Sequence, residues 1–502
     1  MAVPTREQRM ISGIAAAAAA LGVMELAAIP FGPTADSRLA VGATVIDWTP
    51  GPVKEWAIRL FGFNDKLVLS AVILVVIAAL AAITARYEAP RRPVGSAAIV
   101  VAGALGCLAV LSRAGATPLA VLPTVAGTVC GVAALRFLTR APAADDVDGN
   151  RRRSLAALGV LVAGVVSGVV GVVVTRQLRS VSGERSALTV PRPATPAPPI
   201  PPTVQPPGVA LPRFVTPTAD FYRIDTALSV PQLSRNDWRL RIHGLVDREV
   251  TFTFDDLDAF DVVEEVVTLT CVSNTIGGDL ISNAVWTGYR VRDLLARAGV
   301  SPEADMVLST SIDGFTAGTP VEALRDNPDS LLAIAMNGEP LPDQHGYPAR
   351  LVVPGLYGYV SATKWVVDLE LTRFDRAQAY WTKLGWSARG PIKTQSRIDV
   401  PRYGQKLAAG DTVFGGVAWA QPRGVRAVEI RIDDGDWRPA ELGAAYSDDT
   451  WRLWRYPWTA TPGEHRITVR AIDGTGAVQT AEVAAPVPDG ATGLHSVAFT
   501  VS

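Results

Sequence analysis

Five long apolar stretches dominate the first third of the chain. They lie at about 11–31, 67–86, 95–112, 117–138 and 154–175. A helix rises 1.5 Å per residue, so roughly 20 apolar residues cross the hydrocarbon core of a bilayer. The run LVLSAVILVVIAALAAITA offers water no polar face, which argues against buried helices of a soluble core. The pattern therefore predicts an all-α region of five transmembrane helices within residues 1–180.

Basic residues between these stretches predict their orientation. Arginines occur before the first helix, after the second helix, and around the fourth and fifth helices, and all of them fall on one side of the membrane. They are Arg6, Arg9, Arg86, Arg91, Arg92, Arg136, Arg140 and Arg151 to Arg153. The positive-inside rule places that side in the cytoplasm, although basic residues in segment 33–66 weaken the bias. Five crossings then predict a multi-pass plasma-membrane protein whose N-terminus is cytoplasmic and whose chain after residue 176 is extracytoplasmic.

The first part of the polar region is rich in proline. Residues 191–212 read PRPATPAPPIPPTVQPPGVALP. Proline fixes φ and removes backbone donors, so this run predicts an extended polyproline spacer without a core of its own. We therefore expect a linker over 181–212 and a folded domain that begins near residue 213.

Hydrophobic residues alternate with polar ones from about residue 405 onward. Val428, Ile430 and Ile432 share one face of a predicted strand, with charged residues between them. DDGDW follows as a hairpin turn, and WRLWRYPW, HRITVRAI and AVQTAEV read as further strands. This short spacing predicts an all-β immunoglobulin-like sandwich over residues 401–502.

Cys271 is the one cysteine outside the predicted membrane helices, because Cys107 and Cys130 lie within them. It follows the strand-like run EEVVTLT and precedes the turn SNTIGG, so it is predicted at a strand end facing a loop. A lone extracytoplasmic thiol can be a small buried hydrophobe, a nucleophile or a metal ligand. Further cysteines or clustered histidines at zinc-ligand spacing are missing from the sequence. The residues alone leave the three roles open.

Several motifs surround this cysteine in a recognisable order. CVSN is followed by GG and SNAVWTG, and FYRIDTALSVPQLSRNDWRLRIHGLV (221–246) precedes it. AMNGEPLPDQHGYPARLVVPGLYGYVSATKWV (335–366) comes next, and RAVEIRIDDGDWRPAEL and YPWTATPGEHRITVRAIDGTGAVQT close the series. Over about 215–485 the chain resembles the sulfite oxidase family. The resemblance implies an α+β molybdopterin-binding catalytic domain over 213–400. In that family, one cysteine of the protein and the dithiolene of the pterin together hold the molybdenum.

The resemblance also implies roles for particular residues. Cys271 would be the metal ligand, with Arg223 and Lys364 beside it as catalytic residues. The residues that would lie along the cofactor are Phe221, Tyr222, Arg223 and Asp225, and those that would hold it are His345, Arg350, Thr363 and Lys364. The cysteine loop would be shaped by Ser273 and Asn274, and Asp313 would be a further cofactor contact. Thiolate suits a soft metal site, and cations suit the pterin phosphate.

Three departures from the animal members bear on the substrate. Phe315 stands where they have tyrosine, Asp225 stands where they have histidine, and their arginine near the GYVSA motif is missing. These groups help to hold or protonate an oxyanion. Their replacement argues against taking sulfite as the substrate.

The expected function is a membrane-anchored, extracytoplasmic molybdopterin-dependent oxidoreductase that transfers an oxygen atom to or from a small anionic or sulfur- or nitrogen-oxide substrate. One alternative is a reductase of an oxidised sulfur or nitrogen compound, and another is a cofactor-free extracellular binding protein. The sequence has no CxxCH and no histidine before His243, which predicts no haem and an external electron carrier. The net charge of -1 gives no reason to expect nucleic acid as a partner.

The resembling family forms homodimers through its C-terminal domain. Aromatic residues that such an interface could bury occur in this region, namely Trp451, Trp454, Tyr456 and Trp458. The core of a single domain could use the same residues, so both readings stay open.

Overall fold

A computed structural model describes residues 5–50, 53, 56–57, 60–61, 65–113, 116–140 and 149–502. These residues form two compact units. The first comprises residues up to Ser180 together with Ala227–Val230, and the second comprises Val181–Thr226 with Pro231–Ser502.

Small residues let the helices of the first unit approach closely. Within its described part the helices are α1 (Arg6–Ala28), α2 (Ser37–Trp48), α3 (Asp65–Ala85), α4 (Val94–Leu111), α5 (Leu122–Thr139) and α6 (Gly149–Arg179), with a hairpin of β1 (Glu88–Ala89) and β2 (Arg92–Pro93) between α3 and α4. A side chain at Gly22 of α1 would collide with the backbone of Gly164 on α6. Close approach at glycine is typical of helix packing in membranes.

The predicted apolar stretches all coincide with helices. Among the residues that the structure describes, five helices are long and apolar enough to cross a membrane. Helix α2, which the apolar pattern did not predict, begins after Asp36, whose carboxylate accepts a hydrogen bond from the Leu39 N–H at 3.0 Å. An aspartate at this position satisfies a free N–H of the first turn, so a capping signal was present in the sequence.

Two sheets and short helices build the first part of the second unit. One sheet has the order β10-β9-β6-β5, with β11 also paired to β9, and the other has the order β4-β3-β12-β7-β8. Strand β12 runs parallel to β3, and the remaining pairs are antiparallel. The strands are β3 (Arg239–Gly244), β4 (Val250–Thr253), β5 (Val262–Thr270), β6 (Ile281–Arg290), β7 (Met306–Ser311), β8 (Thr316–Pro320), β9 (Leu331–Met336), β10 (Glu339–Pro340), β11 (Arg350–Val352) and β12 (Val366–Thr372). The helices are α7 (Ser182–Ala187), α8 (Val291–Ala298), α9 (Val321–Arg325), α10 (Gly358–Ser361) and α11 (Tyr380–Lys383).

Two further sheets share one hydrophobic core in the C-terminal part. One sheet has the order β13-β15-β19-β18, and the other has the order β14-β21-β20-β16-β17. The strands are β13 (Gln395–Val400), β14 (Lys406–Leu407), β15 (Gly410–Trp419), β16 (Val425–Ile432), β17 (Arg438–Pro439), β18 (Glu441–Leu442), β19 (Arg452–Ala460), β20 (Gly463–Asp473) and β21 (His495–Val501). Val428 and Ile430 of β16 are buried in this core with Phe414 of β15, as the alternating pattern predicts.

The four aromatic residues considered for a dimer interface serve the core of their own chain. Trp451 and Trp454 are 2% and 0% exposed. Tyr456 and Trp458 are partly buried and pack against the core that the two C-terminal sheets share. They therefore leave little aromatic surface for a partner.

One predicted strand of the C-terminal part is wrong. Residues 477–483 form no strand in the described chain, and Val478 makes a single bridge to Ile472. The buried side chain of Gln479 explains the interruption, because its carbonyl oxygen accepts the Ala471 N–H and its amide donates to the Gly493 oxygen. A side chain thus takes hydrogen bonds that a further strand would make.

The proline-rich run packs against the rest of the second unit. The Ala194 N–H donates to the Val262 oxygen at 2.8 Å, and the Pro198 oxygen accepts from the Tyr446 hydroxyl at 2.7 Å. Val204 is 3% exposed. Proline lacks a donor but keeps its carbonyl, so the run can follow the surface of the second unit as an acceptor.

Candidate active site

Cys271 follows directly after strand β5, at the strand end that the sequence predicts. Its N–H donates to the Leu280 oxygen at 2.9 Å, and the Asn274 side-chain oxygen accepts the Leu280 N–H at 3.0 Å. A side chain at Gly278 would collide with that oxygen of Asn274, so the turn needs glycine there. These contacts close the loop from Cys271 to β6 and hold the thiol at its base.

The Cys271 side chain is 9% exposed. Burial raises the pKa of its thiol, and hydrogen bonds from Ser273 offset part of that rise. A bound metal ion reverses this balance, because a coordinating thiol is deprotonated. A raised thiol pKa disfavours a free thiolate nucleophile at Cys271.

Cys271 opens into a pocket with a cavity volume of about 110 Å³. Nine predicted site residues line it, namely Phe221, Tyr222, Asp225, Cys271, Ser273, Asp313, His345, Arg350 and Lys364. Distant stretches of the chain therefore meet at one cavity, as expected if their motifs serve one site.

Three predicted residues lie outside the lining of the pocket. Arg223 donates from Nε to the Asp225 carboxylate at 2.9 Å, and the fully buried Thr363 exchanges a 2.7 Å hydrogen bond with the Ser309 hydroxyl. Asn274 supports the cysteine loop as described above. None of the three is among the residues lining this cavity in the described chain. Their contacts indicate support of the site.

Two buried cations lie on one side of the pocket. The guanidinium of Arg350, 4% exposed, donates to the carbonyl oxygens of His345 at 3.1 Å and Ala362 at 3.4 Å. The ammonium of Lys364 donates to the Asp225 carboxylate and to the Gln344 oxygen, each at 3.1 Å. Neutral carbonyl oxygens accept the hydrogen bonds of Arg350 without neutralising its charge. The pocket therefore suits an anionic ligand beside Arg350.

The pKa shifts agree with that reading. Burial lowers the pKa of Arg350 to about 10 and that of Lys364 to about 8, and Asp225 opposes the second effect. Burial, and then the charges of Arg350 and Lys364, lowers the pKa of His345 to about 3. His345 is therefore neutral at physiological pH. An anionic group bound here would stabilise both cations.

A buried hydroxyl gives a separate sign of a missing ligand atom. Ser311 Oγ lies in the pocket wall, is 2% exposed, and lacks a hydrogen-bond partner among the residues that the structure describes. Buried polar groups are rarely left unpaired in proteins. A ligand with polar atoms would satisfy it.

The protein groups fit an anionic cofactor that carries a metal. In the described part of the chain, no cluster of three or more histidine, cysteine, aspartate or glutamate residues could hold a metal ion by itself. One soft thiol ligand, buried cations and an unpaired hydroxyl share the pocket. This set suits a cofactor that brings most of its own metal ligands and a phosphate.

Aromatic rings also line the pocket, and sequence reasoning missed most of them. Phe315, Tyr359, Trp381 and Trp386 line it, and we call these four residues the aromatic wall. Trp381 and Trp386 come from the stretch AYWTKLGW, whose density of aromatic residues was the available signal. Further lining residues that the motifs did not single out include Ile224, Thr226, Ser311 and Trp365.

Comparison with known proteins gives consistent matches. Residues 227–381 match the family described as "Oxidoreductase molybdopterin binding domain". Human mitochondrial sulfite oxidase is 29% identical over 318 residues, which are 53% of this chain and 58% of that protein. The chain thus spans less than two thirds of that relative.

A bacterial relative is matched over most of its length. "Uncharacterized oxidoreductase YuiH" of Bacillus subtilis (strain 168) is 37% identical over 153 residues, which are 30% of this chain and 74% of YuiH. Among solved structures, the sulfane dehydrogenase SoxCD from Paracoccus pantotrophus is 26% identical with a TM-score of 0.49. That match covers 57% of this chain and 83% of the SoxCD chain.

Proposed function

This chain belongs to the sulfite oxidase family of molybdopterin-dependent oxidoreductases, and we propose that it is a membrane-anchored oxotransferase. It would move an oxygen atom between water and a small substrate in an extracytoplasmic site. The observation that carries this proposal is the meeting of Cys271 with buried Arg350 and Lys364 in one pocket. That combination matches the thiol and the cations that a phosphate-bearing molybdenum cofactor requires.

The roles of the residues follow from their contacts. The molybdenum cofactor, when bound, supplies a metal centre that exchanges two electrons and one oxygen atom. Cys271 would be its protein ligand, and Arg350 would pair with its anionic groups. Lys364, whose pKa is about 8, can hold or release a proton near neutral pH, and Asp225 holds its ammonium at 3.1 Å. Burial raises the pKa of Tyr222, so its phenol stays protonated as a donor.

The first unit would anchor the enzyme. Five helices of sufficient length and apolarity, together with arginines concentrated on one side, support a cytoplasmic N-terminus and a catalytic domain outside the cytoplasm. We further propose a domain boundary near residue 400, an immunoglobulin-like C-terminal domain and an external electron carrier. The shared core of two C-terminal sheets supports the domain assignment.

Molybdenum analysis tests the proposal. Full-length protein from a cofactor-competent host should contain close to one molybdenum atom per chain. X-ray absorption at the molybdenum edge should detect one sulfur ligand fewer in Cys271→Ser. Cys107→Ser and Cys130→Ser are matched controls, because these thiols lie in α4 and α5, and both variants should keep the wild-type spectrum. A metal-free wild type, or an unchanged sulfur count in Cys271→Ser, would refute the proposal.

A further inference from the structure

The aromatic wall is continuous. Its rings are linked through Tyr380: the centroids of Phe315 and Tyr380 are 5.9 Å apart, and those of Tyr380 and Trp381 are 5.2 Å apart. Trp381 contacts Trp386 at 6.2 Å, and Trp386 contacts Tyr359 at 5.8 Å. The four rings that line the pocket thus belong to one packed cluster and present a preformed apolar surface.

The positive charges of the pocket belong to a different group of residues. Arg350 and Lys364 bond to the carbonyl oxygens of His345 and Gln344, which adjoin each other in the chain. Phe221 packs edge-on against His345 with centroids 5.6 Å apart. The cations are therefore grouped around the segment proposed to hold the anionic cofactor.

The charged group beside the aromatic wall is acidic. Asp313 lines the pocket and its carboxylate accepts the Phe315 N–H at 3.2 Å. Lys383, on the same short helix as Trp381, is exposed and is not a lining residue of this cavity. An oxyanion against this wall would meet the Asp313 carboxylate, which repels it.

The wall also offers few polar partners. Phe315 has no polar atom, and the Tyr359 hydroxyl already donates to the Ser387 oxygen at 2.7 Å. Burial raises the pKa of Tyr359, so this phenol does not become an anion near neutral pH. The remaining polar atoms of the wall are the indole N–H groups of Trp381 and Trp386, so the wall offers mainly apolar area.

We infer that the substrate is an uncharged molecule in which the reacting sulfur or nitrogen atom is attached to an aromatic ring or a comparable hydrocarbon group. This inference rests on the proposed function and defines the substrate class of the same site. The ring would pack against Trp381 and Trp386, and the reacting atom would face the cofactor. Alkyl aryl sulfoxides and the corresponding sulfides represent the class.

The reaction balances with a named electron source. In methyl phenyl sulfoxide the sulfur–oxygen bond breaks, sulfur gains two electrons, and the oxygen leaves as water with two protons from solvent. Two equivalents of reduced methyl viologen supply the electrons in the assay. In the opposite direction water supplies the oxygen, and two equivalents of ferricyanide accept the electrons from methyl phenyl sulfide.

The first experiment measures selectivity on full-length enzyme of known molybdenum content. We expect kcat/KM for methyl phenyl sulfoxide or its sulfide to exceed that for sulfite by at least about a hundredfold. The non-reacting probe methyl phenyl sulfone should quench tryptophan fluorescence, and sulfite should not displace it. Equal or better turnover of sulfite, or displacement of the sulfone by sulfite at equal concentration, would overturn the inference.

Variants assign the effect to the wall. Trp381→Ala should weaken sulfone binding by about tenfold, because burying a large aromatic side chain is worth at least that factor. Trp381→Phe should recover most of the loss. Trp437→Ala removes a half-buried tryptophan between β16 and β17 as a matched control and should leave binding unchanged.

The proposed function and the substrate class can be refuted separately. Wild-type protein that holds no molybdenum would refute the proposed function. A molybdenum-loaded enzyme whose sulfone affinity is unaffected by Trp381→Ala would refute the substrate class alone. Molybdenum content of each variant also shows whether a loss comes from misfolding.

Discussion

Replacing Asp225 should shift the pH dependence of cofactor retention. The Asp225 carboxylate accepts hydrogen bonds from Lys364 at 3.1 Å and Arg223 at 2.9 Å, and its side chain is 5% exposed. Asp225→Asn keeps the shape of the side chain and removes its charge. The ammonium of Lys364 then loses the group that favours its protonated form most strongly.

The size of the shift follows from the strength of that contact. A hydrogen bond to a charged group contributes about 1.5–3 kcal/mol, and 1.36 kcal/mol corresponds to one pH unit. The pKa of Lys364 is about 8 with Asp225 in place. In Asp225→Asn we therefore expect Lys364 to titrate lower by about one to two pH units.

The sign follows from linkage between proton and anion binding. A bound anion favours the ammonium, so the cofactor binds fully below the pKa of Lys364 in the cofactor-free protein and is lost as pH rises above it. Retention by wild type should begin to fall near pH 8, and in Asp225→Asn it should begin to fall about one to two units lower. Below that range the variant should retain at least as much cofactor, because a carboxylate that repels the anion is gone.

Dialysis of the holoenzyme over pH 5.5–10, followed by molybdenum analysis and fluorescence of the oxidised pterin, measures both curves. Asp375→Asn is the control, because it removes the same carboxylate charge from an exposed pair with Arg373 at 2.9 Å. Superimposed curves for wild type and Asp225→Asn would refute the reasoning, as would weaker retention by the variant at every pH.

Local patterns were enough to predict the elements that a contiguous stretch of sequence determines. The five apolar runs became helices because length and apolarity are properties of one segment. The position of Cys271 at the end of β5 followed from an apolar run that stops at turn residues. The motif resemblance added the cations, since Arg350 and Lys364 are far from Cys271 in sequence and no periodicity relates them.

The remaining features depend on contacts between distant segments. Tyr359, Trp381 and Trp386 each look like ordinary core residues, and only the arrangement of their segments brings them to one cavity. Proline content predicts the lack of backbone donors in residues 191–212 and says nothing of what the carbonyl oxygens accept. Val204 and the oxygen of Pro198 find partners in the second unit that no local pattern indicates.

Two further predictions concern the stability of the second unit. Thr268→Val should lower the free energy of unfolding by about 2–4 kcal/mol, because its hydroxyl donates to Asn283 and accepts the Trp451 N–H, each at 2.9 Å, and both buried partners lose a bond. Chemical unfolding of full-length protein in detergent measures this free energy. The control Thr251→Val, at an exposed position, should leave it nearly unchanged. A loss below about 0.5 kcal/mol in Thr268→Val would contradict the prediction. Burial, and then the charge of Asp329, raises the pKa of Glu265 from 4.5 to about 7, so the folded state favours its protonated form. The free energy of unfolding of wild type therefore falls as pH rises from about 4.5 to 7. Glu265→Gln removes that fall. Its stability relative to wild type should therefore increase by about 1–2 kcal/mol between pH 5 and pH 8, after allowance for partial exposure. The exposed control Glu482→Gln should show no such trend, and a difference for Glu265→Gln that stays constant with pH would show that this carboxyl is already ionised at pH 5.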